Sequence, residues 1–154
     1  MPYIKRRMVG VVLAALACAS CQSGAGVSVA QIDPTVFVHD VRDRADDAKV
    51  DGYVRYLDDA DCFVLDSTAD GSGGVRNVAV WPPGTKVWKK GTEVAGVEVP
   101  DRDPIAVGSR VTGGGGYANP DTSDMDLPEV AADCLGSGGE FAMIHVISAV
   151  TPPS

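Results

Sequence analysis

Residues 62–84 read CFVLDSTADGSGGVRNVAVWPPG. This stretch holds two short valine-rich runs, 62–65 and 75–81, separated by Asp, Ser and Gly and closed by two prolines and a glycine. Runs of β-branched and aromatic residues between such turn residues indicate strands. The same pattern on either side predicts a mainly β domain. The predicted strands are 50–57, 62–65, 75–81, 85–88, 94–99, 105–112 and 141–150.

One short helix is predicted before the last strand. Asp126 is a capping residue, Pro128 suits an early helical position, and Glu129 lies in the first turn. The apolar residues that would share one face are Leu127, Val130, Ala131 and Cys134. Short strands at regular spacing with one helix predict a small OB-like Greek-key barrel, with a β-sandwich as the alternative.

The N-terminus, residues 1–20, is typical of an export signal with a lipobox-like end. Basic residues precede an apolar run that is shorter than the roughly 20 residues needed to cross a bilayer. Small residues then precede Cys18 and Cys21, and cleavage before either would leave an acylated N-terminal cysteine. We therefore expect a lipoprotein on the outer face of the cytoplasmic membrane. The alternative is a secreted soluble protein, released after Ala17 or Ala30.

Two cysteines remain, Cys62 and Cys134, and we expect them to form a disulfide bond. Export places them in an oxidising compartment, where disulfides persist. The closed loop of about 70 residues would contribute roughly 4 kcal/mol by the chain-entropy model. The acidic residues around Cys62 disfavour a thiolate there, which argues against a nucleophilic role.

The charge balance excludes some partners. The chain has 13 basic and 21 acidic residues, and residues 1–30 hold three of the basic and none of the acidic ones. The remainder therefore carries 10 basic against 21 acidic residues, a net charge near −11. Nucleic acid binding depends on Lys and Arg, so no nucleic acid partner is expected. We predict a tether and charged arm over 22–48 and a single β-domain over 49–150.

Two groups of acidic residues are candidate cation sites. Asp66 and Asp70 open a segment that resembles a calcium loop, but its twelfth position is Asn77, where a carboxylate is needed, so a plain turn is favoured. Asp58, Asp59 and Asp61 form a denser patch, which is the basis of the alternative function, a small hydrolase or metal-binding protein. No cofactor is expected.

Aromatic and glycine residues give two further predictions. Trp81 and Trp88 flank a proline turn and are the candidate ligand-binding surface. The glycines at 113–116 lack the Lys-Ser or Lys-Thr of a phosphate loop, so they predict a bulge, a sharp turn or a close backbone approach.

Several of these motifs occur together in one kind of protein. The order of Cys62-x-x-Leu65, Val80-Trp81-Pro82-x-Gly84-Thr85, the glycine run and Cys134 resembles small envelope domains, often lipoproteins, of high-GC Gram-positive (actinobacterial) type. The resemblance covers about residues 50–147. It implies the location, the disulfide and the fold, but the family has no assigned activity or catalytic residues.

The sequence thus predicts a non-enzymatic binding or structural module of the cell envelope. Its expected contacts are the membrane, through the N-terminal lipid, and an envelope protein or small ligand.

Overall fold

The computed structural model describes residues 26–40, 48–129 and 134–154. They form a mainly β protein, so the predicted class is confirmed. Its strands are β1 Val27–Gln31, β2 Val36–His39, β3 Ala48–Leu57, β4 Cys62–Asp66, β5 Arg76–Trp81, β6 Lys86–Lys90, β7 Glu93–Glu98, β8 Ile105–Ala106, β9 Arg110–Ala118 and β10 Phe141–Thr151.

Five of these strands pair in a closed cycle, in the order β3-β4-β5-β10-β9 and back to β3. The pairings are antiparallel except that of β5 with β10, which is parallel. A cycle leaves no free edge among its members, which is how a small barrel protects its strands. The predicted helix before β10 depends on residues 130–133, which lie outside the described residues.

The glycine run lies in β9 and allows β10 to come close. A Cβ atom built on Gly113 would overlap the carbonyl oxygen of Val146, and one on Gly115 would overlap that of Met143. The β9–β10 register also shifts twice at this level, as it does at β-bulges. The predicted bulge and close backbone approach are therefore confirmed, whereas the alternative of a sharp turn is wrong because these glycines lie within β9.

We expect Gly115→Ala to lower the free energy of unfolding by about 1–3 kcal/mol, because the backbone of β10 must move to admit the methyl group. Gly116→Ala is the matched control, since its Cβ would meet only the flexible end of Met143, at 3.3 Å. Urea denaturation of both variants measures the difference. Equal stabilities would show that β10 does not approach β9 as described.

The predicted tether and arm, 22–48, is wrong for residues 27–39, which form β1 and β2. Phe37 and Val38 of β2 pair in parallel with Val80 and Trp81 of β5, and Val36 is fully buried. All four residues of β2 are buried, so the segment lacks the alternation that marks a half-exposed strand. The β-domain therefore includes residues 26–40, which precede the predicted boundary at residue 49.

A second, three-stranded sheet, β6-β7-β8, packs against the five-stranded cycle. Strands β6 and β7 form the hairpin predicted from residues 85–99. The apolar residues Val97, Val99 and Ile105 join the main core, which also contains Trp81.

A second apolar cluster lies on the other face of β4, β5 and β10. It contains Val64, Val78 and Met143, and the segment between β9 and β10 covers it with Leu127 and Leu135. This connecting segment is held to β4 by the Cys62–Cys134 bond.

Candidate functional site

The predicted disulfide between Cys62 and Cys134 is present, with a sequence separation of 72 residues. Both cysteines are buried in the second apolar cluster. Neither cysteine therefore carries a free thiol that could act as a nucleophile or bind a metal while the bond is intact. The two candidate lipidation sites, Cys18 and Cys21, lie outside the described residues.

A cleft of about 610 Å³ is formed where three parts of the chain meet. These are the β1–β2 turn, the end of β3 with the turn that follows it, and the β6–β7 hairpin; Val107, which follows β8, completes the lining. The lining residues are Asp33, Pro34, Tyr56, Asp58, Lys89, Thr92, Glu93, Val94 and Val107. We refer to this feature as the cleft.

Tyr56 is fixed in place within the cleft wall. Its hydroxyl donates a hydrogen bond to Asp61 Oδ1 at 2.6 Å, and its ring lies 5.2 Å from that of buried Phe63. Burial, followed by the hydrogen bond to Asp61, raises the pKa of Tyr56 well above its usual value of 10.0. The phenol is therefore a neutral, immobile group around neutral pH, suited to contacting a ligand rather than exchanging protons.

The charged groups of the cleft are mainly acidic. Asp33, Asp58 and Glu93 line it together with one cation, Lys89. Glu93 and Lys89 lie near the ends of paired strands, whereas Asp33 belongs to the β1–β2 turn. No local sequence signal joins these residues, because the cleft forms only when the three segments pack together.

The acidic patch predicted from the sequence is not gathered into one pocket. Asp58 lines the cleft and is exposed, Asp59 is also exposed, and Asp61 accepts the hydrogen bond from Tyr56. Within the described ranges, no group of three or more His, Cys, Asp or Glu residues is placed to hold a metal ion.

The two tryptophans of the candidate ligand surface do not lie on one exposed face. Trp81 is fully buried in the main core, whereas Trp88 is half-buried on β6 with the Lys90 ammonium 4.8 Å from its ring centroid. Trp81 is buried because it lies at the end of β5, where β2 pairs with this strand and the second sheet packs nearby.

Asp66 and Asp70, the candidate cation ligands, lie in different surroundings. Asp66 is buried, and its carboxylate forms ion pairs with Arg55 (3.3 Å) and Arg76 (3.5 Å). Asp70 is exposed and accepts hydrogen bonds from the side chain and backbone of Ser72, which lower its pKa. The Asp66 carboxylate is already paired with two guanidinium groups, so it needs no metal cation to balance its charge. The segment is therefore a turn, which is the interpretation that the sequence favoured.

We expect Asp66→Asn to lower the free energy of unfolding by about 2–3 kcal/mol. Removing one partner of a fully buried ion pair costs roughly 3–5 kcal/mol. The effect here is smaller because the side chains of Arg55 and Arg76 are 34% and 33% exposed and regain water. Urea denaturation at neutral pH measures it, and a change below that of the control described next would contradict the structural role of Asp66.

The matched control is Asp51→Asn. Asp51 accepts hydrogen bonds from Arg110 and Lys49 at the surface, where such pairs contribute about 1 kcal/mol or less. These bonds, that of Arg110 first, lower the pKa of Asp51 from 3.8 to about 2. The contribution of Asp51 is therefore present above pH 3.8 and is lost as the pH falls toward 2. Stability measured against pH should show this loss in the wild type but not in Asp51→Asn.

The two histidines meet inside the fold. His39 is buried on β2 and its Nε2 lies 3.0 Å from the carbonyl oxygen of Ile144. The ring of His145 on β10 contacts that of His39 edge to face, with centroids 4.7 Å apart. Both residues are thus part of the packing between these strands.

The chain was compared with protein-family models, curated proteins and solved structures. No family model, curated protein or solved structure matches it. Among the described residues, no helix is long and apolar enough to span a membrane.

Proposed function

We propose that the protein is an exported, lipid-anchored component of the cell envelope that acts as a non-enzymatic binding module through the cleft. The single observation that carries the anchoring part is the position of strand β1, close behind the two candidate cysteines. Gly26 follows Cys21 by only five residues, and β1 begins at Val27.

The position of β1 argues against one route to a soluble protein. Val27 is buried in the second apolar cluster, and its amide donates a hydrogen bond to the carbonyl oxygen of Asp126 at 3.0 Å. Cleavage after Ala30 would remove most of β1 and these contacts. Cleavage before Cys18 or Cys21 leaves the strand whole and supplies the residue that lipid modification requires.

The cleft supports the binding part of the proposal. We also propose that the five-stranded cycle is an OB-type barrel, in which β3 and β4 are the first two strands. In that fold the loop between these strands is one of those that bind ligands. Here that loop contributes Asp58 to the cleft. The outer face of the second and third strands, another binding surface of the fold, is covered by the chain itself.

Variants at the two candidate cysteines test the anchor. Cys18→Ala, Cys21→Ala and the double variant are expressed in an actinobacterial host fed an alkyne fatty acid, and membrane and soluble fractions are compared. One single variant should lose both label and membrane association, as the double variant does. A wild-type protein that is unlabelled and soluble would contradict the anchoring proposal.

A photo-crosslinking residue tests the cleft. We expect a crosslinker at Thr92, which lines the cleft, to capture a specific product in intact cells. Exposed Ser148 on β10, which is not a lining residue, is the matched control position. Identical products from both positions, or no product from Thr92, would contradict binding at the cleft.

A further inference from the structure

Strand β1 has one open side. Among the described residues it pairs with β2 on one side and with no other strand on the opposite side. Val29 on this strand is 37% exposed, and Ile32, just beyond it, is 78% exposed. Residues 26–32 include no charged side chain. Proteins usually protect an exposed strand edge with charges or a covering segment, so an uncharged edge with exposed aliphatic side chains indicates a contact surface.

The main-chain groups on the open side follow from the pairing of β1. The amide of Val27 points away from β2, since it donates a hydrogen bond to the carbonyl oxygen of Asp126 at 3.0 Å. Alternation along an antiparallel strand turns the amide and the carbonyl group of Val29 the same way. An added strand would therefore find the carbonyl oxygens of Val27 and Val29 and the amide of Val29. We call this side of residues 27–30 the free edge.

The segment that contains Asp126 covers only the start of β1. Its bridge to Gly26 is parallel, so the next hydrogen bond of that ladder would run from the amide of residue 128 to the carbonyl oxygen of Val27. Residue 128 is a proline and has no amide hydrogen, so the ladder stops there. At the other end of β1, the side chain of Gln31 accepts a hydrogen bond from the amide of Val87. The free edge lies between these two contacts.

Carboxylates lie at both ends of the free edge. Asp40 accepts a hydrogen bond from the amide of Gly26 at 2.8 Å, and Asp126 bridges to the same residue. Asp33 lies in the turn after β1. All three aspartates are exposed, and none of them forms an ion pair with a described residue. Charge complementarity therefore favours an extended segment with a short apolar centre and basic residues at its ends.

The same charges disfavour a second copy of this chain as the occupant. In an antiparallel pair of β1 strands, Asp33 of one copy would lie beside the end of the other copy that carries Asp40 and Asp126. A parallel pair would place each aspartate beside its own counterpart. Like charges repel in both arrangements, so the occupant is a different chain.

We propose that the free edge binds an extended segment of another protein by β-strand addition, and that this segment carries basic residues on both sides of a short apolar run. The main-chain groups provide hydrogen bonds, Val29 and Ile32 provide apolar contact, and the carboxylates select the charge. The free edge is a second binding surface, since only Asp33 belongs to both it and the cleft. The inference therefore goes beyond the proposed function and does not depend on the lipid anchor.

The test uses the mature protein purified from its host and a blocked synthetic peptide, Lys-Val-Thr-Val-Thr-Val-Lys. Calorimetry measures the dissociation constant, and backbone amide signals locate the contact. We expect binding, with the largest signal changes over residues 27–31 and slower hydrogen exchange of the Val29 amide. The same peptide with Glu at both ends should bind at least about ten-fold more weakly at low salt. No binding of the Lys peptide at about 1 mM, equal binding of both peptides, or signal changes elsewhere would overturn the proposal.

Two variants with equal net charge separate the free edge from general attraction to an acidic protein. Val29→Lys places a cation on the free edge and should weaken binding of the Lys peptide by at least about ten-fold. Val75→Lys is the matched control, because Val75 is a 51% exposed valine that precedes β5, and it should bind the peptide as the wild type does. Equal binding by the two variants would overturn the proposal. A mature chain that begins at Gln31, shown by its intact mass, would lack the free edge and would overturn it as well.

Discussion

Replacing Cys62 and Cys134 together by serine is expected to lower the free energy of unfolding by about 4 kcal/mol. The bond closes a loop of 72 residues, and the chain-entropy model assigns roughly that value to a loop of this size. It also holds the segment between β9 and β10 over the second apolar cluster. Guanidinium denaturation of the oxidised wild type and the double variant measures the loss.

Reduction of the wild type provides the control for the substitution itself. The reduced wild type and the double variant should have similar stabilities, because both lack the crosslink and keep the other contacts. A double variant within about 1 kcal/mol of the oxidised wild type would contradict the stabilising role of the bond, since removal of a native disulfide from a small secreted domain typically costs about 2–5 kcal/mol.

Trp81→Ala is expected to destabilise the domain by about 3–5 kcal/mol, as large-to-small changes at buried aromatic positions do. Trp81 has no exposed surface and lies in the main core with residues of both sheets. Trp88→Ala is the matched control and should change stability by about 1 kcal/mol or less, because Trp88 is only partly buried on the hairpin. Urea denaturation of the two variants measures both effects.

The pair of variants also tests whether the two tryptophans lie in different environments. An effect of Trp88→Ala as large as that of Trp81→Ala would show that the two residues share one environment, contrary to the structure. If Trp81→Ala left stability unchanged, Trp81 would not be a core residue and the sequence-based ligand surface would regain its basis.

Local patterns in the sequence predicted much of the fold. The strands β3 to β7 and β10 follow from valine-rich runs with turn residues between them, and the β6–β7 hairpin from two such runs in succession. The predicted strand 105–112 is wrong, because the chain forms two strands there, β8 and β9, and β9 continues through the glycines to Ala118. The disulfide followed from counting the cysteines left after Cys18 and Cys21 were assigned to the export signal. The glycines of β9 followed from the role of glycine where backbones approach closely.

The features that the sequence did not reveal depend on long-range packing. Strand β2 is buried on both sides by partners far along the chain, so its four residues carry no alternation and stand beside a highly charged segment. Asp66 resembled a calcium ligand because the sequence does not show that Arg55 and Arg76 lie against it. The cleft joins residues 33 to 107 and has no continuous motif.

We propose that a lipid anchors the disulfide-closed domain to the outer face of the membrane. The most direct test is the intact mass of the protein purified from the native membrane fraction, taken before and after reduction. We expect an acylated chain that begins at Cys18 or Cys21 and gains about 2 Da on reduction, because each disulfide takes up two hydrogen atoms. An unacylated chain that begins after Ala17 or at Gln31, with no change of mass on reduction, would contradict the claim.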